Sequence, residues 1–514
     1  MKFLKKLFLF SAAVLISASL LTAFQAAAQT NNSFTLKVLH TNDTHLRLME
    51  GTYDGMGFPK LAAKINELRK GKDPVLLLDA GDFVHGMPIG TISKGEKIIG
   101  LLDLMGYDAI TIGNHEFDYG KNQLLKLIKK TKVPFISANI YSGKKRFSKP
   151  YIIKEIQGVK VGIFGLTTPE SYVKAHPKNV TGLTIKDPAD EARIMVSELQ
   201  SKGCSVIIAL VHLGIDESTP ENWRSTYVAE NVPGIDLIVD GHSHSSLPSG
   251  MKSGSTMIVS AMEYDKALGI VDLDVSQGKV SSVKASYFTK EDAAKAPEDS
   301  AVLAFIKNVE NQNKKITDAV IGKSDIELNG EKNNVRAGET NLGNLITNSI
   351  LWKTGADCVI TNGGGIRASV AKGKITKGNI ITVLPFGNTI VVKEISGKDI
   401  REALEFGVAD YPNTAGKFPH VAGITFKLDA KAAAGKRVVD LMIGGKPADD
   451  KKLYKLATND FMAAGGDGYA MFKPAKEYKL YGGLDEILIE YIDSNGTVTE
   501  KIAKVDGRIT VINK

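Results

Sequence analysis

Apolar and polar positions alternate with two periods along this chain. Short apolar runs at Thr35–Leu39, Val75–Leu78, Ala109–Ile112, Val206–Val211 and Leu237–Val239 read as strands, and the stretches between them carry helix-like spacing. Strands alternating with helices predict a layered α/β architecture. Between about Glu291 and Lys315 the chain turns charged and helical, which predicts a connecting helix between two domains. Beyond it the alternation resumes, punctuated by the glycine-rich turns NGGGIR (362–367), LPFGN (384–388) and AAGGDGY (463–469).

The N-terminus has another pattern. Lys2, Lys5 and Lys6 precede an apolar run from Leu7 to Phe24, and Ala26-Ala27-Ala28 closes it. This is the signature of a secretory signal peptide spanning 1–28. An uncleaved anchor is the alternative, because the run to Ala28 is nearly long enough to span a bilayer. No Cys lies near the cleavage region, which argues against a lipoprotein anchor, and no later segment is apolar enough to span. The expectation is an exported protein, periplasmic or extracellular at the cell envelope, with no stable membrane insertion after cleavage.

The residues just past the five strands carry the chemistry. After the first come Asp43 and His45 (HTNDTH), after the second Asp82 (DAGD), and after the third Asn114 and His115 (GNHEFD). After the fourth comes His212 (VHLG), and after the fifth His242 and His244 (DGHSH). Sites in α/β sheets are built at the C-terminal strand ends, so the set converges where one sheet edge would bring it together. Imidazoles mixed with carboxylates suit Zn, Mn or Fe better than Ca or Mg. Eight candidate groups exceed the needs of one ion, which implies two divalent ions with a bridging carboxylate. Asp82 is the choice for the bridge, since it lies mid-set and Gly81 beside it permits a tight turn.

These five blocks, in this order, resemble the calcineurin-like metallophosphoesterases. The resemblance implies that Asp43, His45, Asp82 and His244 hold one metal and that Asp82, Asn114, His212 and His242 hold the other. Zinc is the first choice, with manganese, cobalt or iron as alternatives. The family usually has Gly after the first His, where this chain has Leu46; the change removes no ligand but bears on the rim and on activity. In bacterial relatives the position of His244 can also be Gln.

Within GNHEFD, His115 follows a metal-binding Asn and can reach a phosphoryl group without being a ligand. Asp118, three residues on, is placed to hydrogen-bond its ring and keep it protonated. In the resembled family such a His–Asp pair stabilises the transition state or protonates the leaving group. Glu116 has no such assignment, and a hydrogen bond within the turn is its structural reading. His40, His85, His176 and His420 match no ligand position and read as structural.

In the second half, NGGGIR ends in Arg367, which is either the end of a plain turn or a bidentate phosphate contact. Phe386 and Phe461 read either as core residues or as an exposed pair that sandwiches a flat ring. The blocks ETNLGNL (339–345), NGGGIR, LPFGN and GGDGY sharpen the resemblance to the 5'-nucleotidase family over nearly the whole mature chain. That resemblance implies phosphate contacts from Arg336 and Arg367, nucleoside contacts from Asn362 and Asn388, base stacking on Phe386 and Phe461, and ribose binding by Asp467.

The implied organisation is a four-layer β-sandwich flanked by helices at 34–290, a linker helix at 291–318 and an α/β substrate-binding domain at 319–512. The implied function is hydrolysis of nucleoside 5'-monophosphates, with di- and triphosphates or UDP-sugars as further substrates, by attack of a metal-bound hydroxide. Two rivals remain: a 2',3'-cyclic-nucleotide phosphodiesterase/3'-nucleotidase of the same family, and a non-catalytic nucleotide-binding surface protein.

Composition changes the picture little. A chain of 514 residues has room for two or three domains. The net charge is +8, three of which are leader lysines, and runs such as Lys144-Lys145-Arg146 read as solvated surface. A mild excess suits a small anionic nucleotide and does not argue for nucleic-acid binding; a monomer or dimer is expected. Cys204 and Cys358 lie far apart beside apolar runs and are expected to be buried free thiols.

Overall fold

The computed structural model describes residues 33–513, except 52–53 and 218. The leader expected at 1–28 lies outside the described residues. Among the described residues no helix is long and apolar enough to cross a membrane.

The first half packs two six-stranded sheets face to face. In one, strands Phe34–Thr41, Val75–Asp79, Ala109–Thr111 and Phe135–Ile136 run parallel, with Ala267–Ser276 and Lys279–Thr289 added antiparallel. In the other, Val159–Thr167, Val206–His212, Leu237–Val239 and Thr256–Val259 run parallel between antiparallel edges. Leu36, Val38, Leu76 and Leu78 meet Val161, Ile163, Val206 and Ile208 between the sheets. Each such side chain removed from water stabilises the sandwich by about 1.5–3 kcal/mol. Helices cover both outer faces: Phe58–Arg69 and Lys121–Lys130 one, Pro188–Ser201 and Ser225–Asn231 the other. Strand Val206–His212 is buried at all seven positions because both its faces and both its edges are covered, and its sequence is a near-continuous apolar run for that reason.

The strand ends that carry the candidate ligands therefore belong to two sheets. Asp43, Asp82 and Asn114 follow strands of one, while His212 closes a strand of the other and His242 follows its neighbour. Their meeting depends on the sandwich, which one sheet edge could not supply.

Helix Ser300–Thr317 comes next, capped by Asp299, whose carboxylate accepts from the Ala301 and Val302 amides. Its buried face, Val302, Ile306 and Val309, belongs to the first-half core, and it also packs against helix Lys377–Val383 of the second half. The second half is a mixed five-stranded sheet with smaller three- and four-stranded sheets and helices Asn341–Thr354, Gly397–Gly407 and Leu484–Asn495 around it. Cys204 and Cys358 are free and buried.

Two local devices hold the site loops. Glu116 is buried, and its carboxylate accepts from the amides of Gly113 (2.7 Å), Asp82 (2.9 Å), Phe83 (2.8 Å) and Val84 (3.3 Å), tying the DAGD turn to the GNHEFD turn. Leu46 has φ +57° and is buried, with its Cδ1 so close to Gly90 that a Cβ there would lie 2.0 Å away. The left-handed φ is one that glycine adopts freely, and Leu46 compensates by packing into the core below the site.

Leu46→Gly relieves about 1–2 kcal/mol of backbone strain but opens a cavity worth about 3–5 kcal/mol. Urea unfolding should show a net loss of roughly 2 kcal/mol; a more stable variant would mean that strain dominates. Glu116→Ala orphans four backbone donors, and Glu116→Gln presents an amide N–H to them. Both should lower stability by about 3 kcal/mol, and equal unfolding midpoints for Gln and wild type would refute the clasp.

Candidate active site

At the shared end of the two sheets, Asp43, His45, Asp82, Asn114 and His212 are all buried. Asp82 stands between two groups: its Oδ2 is 3.2 Å from His212 Nε2 and 3.9 Å from His45 Nε2. Asp43 Oδ1 lies 3.5 Å from His244 Nε2. Asn114 Oδ1 faces His212 Nε2 at 3.2 Å and His242 Nδ1 at 2.9 Å. Asp43, His45 and His244 offer ligand atoms within 4.8 Å of one another, as do Asp43, Asp82 and His212. The structure thus brings together all seven residues expected around metal.

The backbone is strained where they converge. Asp43, His45, Asp82, His242 and His244 have φ between +48° and +77°, a region that costs non-glycine residues about 1 kcal/mol or more each. Gly81, at φ +90°, makes the turn that aims Asp82, and Gly113 leaves the space in which a Cβ would lie 2.3 Å from Asp82 Oδ1.

The donor set fits divalent metal. Both ring nitrogens of His45 are buried without a partner, and burial holds the ring well below the usual histidine range, hence neutral. Burial likewise lifts Asp43 to about 7. Burial works to raise Asp82, yet the neighbouring His212 and His115 rings hold its carboxyl well below the ordinary range. His212 Nδ1 donates to the Ala80 carbonyl at 2.7 Å, which turns Nε2 toward Asp82 and Asn114.

His115 Nδ1 lies 2.6 Å from Asp118 Oδ2, and the His115 amide donates to Asp82 Oδ1 at 2.8 Å. Burial pulls the His115 ring down, but Asp118 and Asp82 outweigh it and raise its affinity for a proton.

These groups open onto a cleft of about 1430 Å³ between the halves. Arg336 and Arg367 of the second half line it, with Lys332 one helical turn before Arg336; Lys332 Nζ reaches to 3.3 Å from His244 Nδ1. Burial and the charge of Arg336 push Lys332 down to about 8, and burial with Arg367 pushes Arg336 down to about 10. Three cations crowded in this way are relieved by an anion. Asn362, Phe386, Asn388, Phe461 and Asp467 line the same cleft. Asn362 Nδ2 donates to Asp467 Oδ2 at 2.7 Å, and Asn388 Nδ2 to Asp460 Oδ1 at 3.0 Å. Phe386 stacks on His85 at 4.8 Å, with the Arg367 guanidinium 5.7 Å from its ring.

Three site residues escape a reading of the strand ends alone. Glu170 Oε2 accepts from His242 Nε2 (2.9 Å) and Thr219 Oγ1 (2.6 Å), which aims His242 Nδ1 at Asn114. Its signal is an acid just past a sixth strand, Val159–Thr167. Lys332 is signalled only by its i, i+4 spacing to Arg336. His85, for which the sequence offers only a structural reading, lies 3.1 Å from Asp118. His40 and His420 are buried, the latter donating to Val335 O at 2.9 Å, and His176 pairs with Asp460 at 3.3 Å.

The calcineurin-like phosphoesterase model matches residues 36–246, and the 5'-nucleotidase C-terminal domain model matches 320–474. A 5'-nucleotidase of Vibrio cholerae is 30% identical over 95% of this chain and 96% of its own length. A trifunctional nucleotide phosphoesterase protein of Bacillus subtilis is 33% identical over 92% of this chain, which spans 35% of that longer relative. The crystal structure of a 5'-nucleotidase precursor from Thermus thermophilus superposes with a TM-score of 0.83 at 32% identity, covering 94% of this chain and 100% of that one. A family whose chemistry needs divalent metal accounts for the buried imidazole–carboxylate cluster, and the chain belongs to the 5'-nucleotidase family of calcineurin-like metallophosphoesterases, hydrolases of phosphoric esters.

Proposed function

We propose that this protein is an exported 5'-nucleotidase that cleaves nucleoside 5'-monophosphates to nucleoside and phosphate. The observation that carries the reading is the opposition, across one cleft, of a metal-type cluster and three crowded cations. Export rests on the leader-like residues 1–28.

Asp43, His45, Asp82 and His244 would hold one divalent ion, and Asp82, Asn114, His212 and His242 a second. Zinc suits this donor set, with manganese, cobalt or iron as alternatives. Two ions there supply positive charge to the phosphate oxygens and acidify water.

The rest falls to the chain itself. Lys332, Arg336 and Arg367 bind the phosphate from the second half and orient it. His115, kept protonated by Asp118, offsets charge as it grows on the phosphoryl oxygens or the leaving oxygen. Phe386 and Phe461 offer faces for the base, and Asn362, Asn388 and Asp467 offer polar contacts to the nucleoside, exchanging their present internal partners for the ligand. Glu170 keeps His242 aimed.

Chelation should abolish phosphate release from AMP, and added Mn or Zn should restore it. In the same assay AMP should be hydrolysed faster than UDP-glucose or 2',3'-cyclic AMP. A much faster rate on the cyclic nucleotide would instead favour the 3'-nucleotidase reading. His115→Ala should lower kcat by about 10²–10⁴-fold with metal content unchanged by elemental analysis; retained turnover would remove His115 from the chemistry.

A further inference from the structure

We propose that His85 is a positioning residue through which the C-terminal half of the molecule holds the His115–Asp118 pair. The inference rests on the reading of that pair as catalytic.

His85 lies beyond strand Val75–Asp79 and is 1% exposed. Its ring stacks on His115 at 5.6 Å and 13°, and on Phe386 of the LPFGN turn at 4.8 Å and 21°. Its Nδ1 is 3.1 Å from Asp118 Oδ2, the same oxygen that faces His115 Nδ1 at 2.6 Å. Its Nε2 is 3.1 Å from the carbonyl oxygen of Pro385, in the second half. One side chain thus touches the catalytic histidine, its carboxylate partner and the facing half of the molecule.

Both nitrogens of His85 face acceptors. Burial holds the ring down to about 4, so it is neutral and carries a single N–H. A neutral imidazole can donate to Asp118 or to Pro385 but not to both. With Pro385 in place the hydrogen bond is made to its carbonyl, and Nδ1 stands 3.1 Å from Asp118 Oδ2 without one; with Pro385 withdrawn, the hydrogen is free to serve Asp118. Asp118 Oδ2 is shared between His85 and His115, so the position of the C-terminal half is felt at the oxygen that orients His115. Phe386 adds a second restraint, because its ring fixes the plane of His85 and His85 stacks in turn on His115.

The C-terminal half should then contribute to the chemical step as well as to recognition, and the effect should appear with a substrate that has neither base nor ribose. The test uses the full-length, metal-loaded enzyme with AMP and with p-nitrophenyl phosphate. His85→Phe keeps a stacked ring and loses the Pro385 hydrogen bond and the Asp118 contact. His85→Asn keeps a donor near Nδ1 without reaching Pro385, and His85→Gln keeps one near Nε2.

The expected result for His85→Phe is a kcat about tenfold lower on both substrates, the equivalent of one hydrogen bond, with KM within about twofold and metal content unchanged. Asn and Gln should each recover part of the loss and neither all of it. Wild-type kcat in His85→Phe would overturn the proposal. Full recovery in His85→Asn would overturn the link to the C-terminal half, because the Asp118 contact alone would then suffice. His115→Ala in the same p-nitrophenyl phosphate assay separates the two claims: if it stays active, the assignment of the catalytic pair fails; if it loses activity while His85→Phe keeps it, only the role of His85 fails.

Discussion

Asp82 is the group on which the rest of the site depends. It is a buried carboxylate whose two oxygens serve different neighbours, one receiving the His115 amide and the other facing His212 and His45. A buried charge is tolerated only when it is paired and hydrogen-bonded. Here the pairing residues come from both sheets of the sandwich, so the inter-sheet packing and the charge arrangement at its end are mutually dependent. Glu116 anchors the backbone from Asp82 to Val84 and the amide of Gly113, and left-handed φ values at Asp43, His45, Asp82, His242 and His244 show that the loops bend to fit the cluster. Strain of this sort persists only where the surrounding structure over-determines it.

The second constraint is the opposition of charges across the cleft. Burial and the charge of Arg336 disfavour protonated Lys332, and burial with the charge of Arg367 does the same to Arg336. An anion beside them would relieve that crowding. The linker helix Ser300–Thr317 belongs to the first-half core while touching the second half, so the first half presents a firm surface against which the other is set.

Some of the site was legible because its residues announce themselves locally. A His, Asp or Asn immediately after an apolar run is visible in one dimension, and five such runs suffice to pick out the residues that the structure gathers into one cluster. Glu116 was legible only as a polar residue in a turn, since its four partners come from a second loop. Glu170 lies past a sixth strand that carries no histidine of its own. His85 and Lys332 are ordinary in sequence, and their importance arises from the groups that approach them: Asp118 and Pro385 for the one, His244 for the other. Leu46 looks like a departure at the rim, whereas its side chain turns inward to the core.

The sequence by itself determined the α/β alternation, the chemical identity of the clustered imidazoles and carboxylates and the glycines that let them approach, because strand period, side-chain chemistry and turn geometry are local properties. It also carried the family resemblance, through blocks whose order is fixed along the chain. Only the tertiary structure decided that two sheets rather than one gather the ligands, which oxygen of Asp118 is shared, and which cations face the metal-type cluster. Those are contacts between segments tens to hundreds of residues apart, set by how the sheets pack and how the two halves meet, and neither is written in any one stretch of the chain.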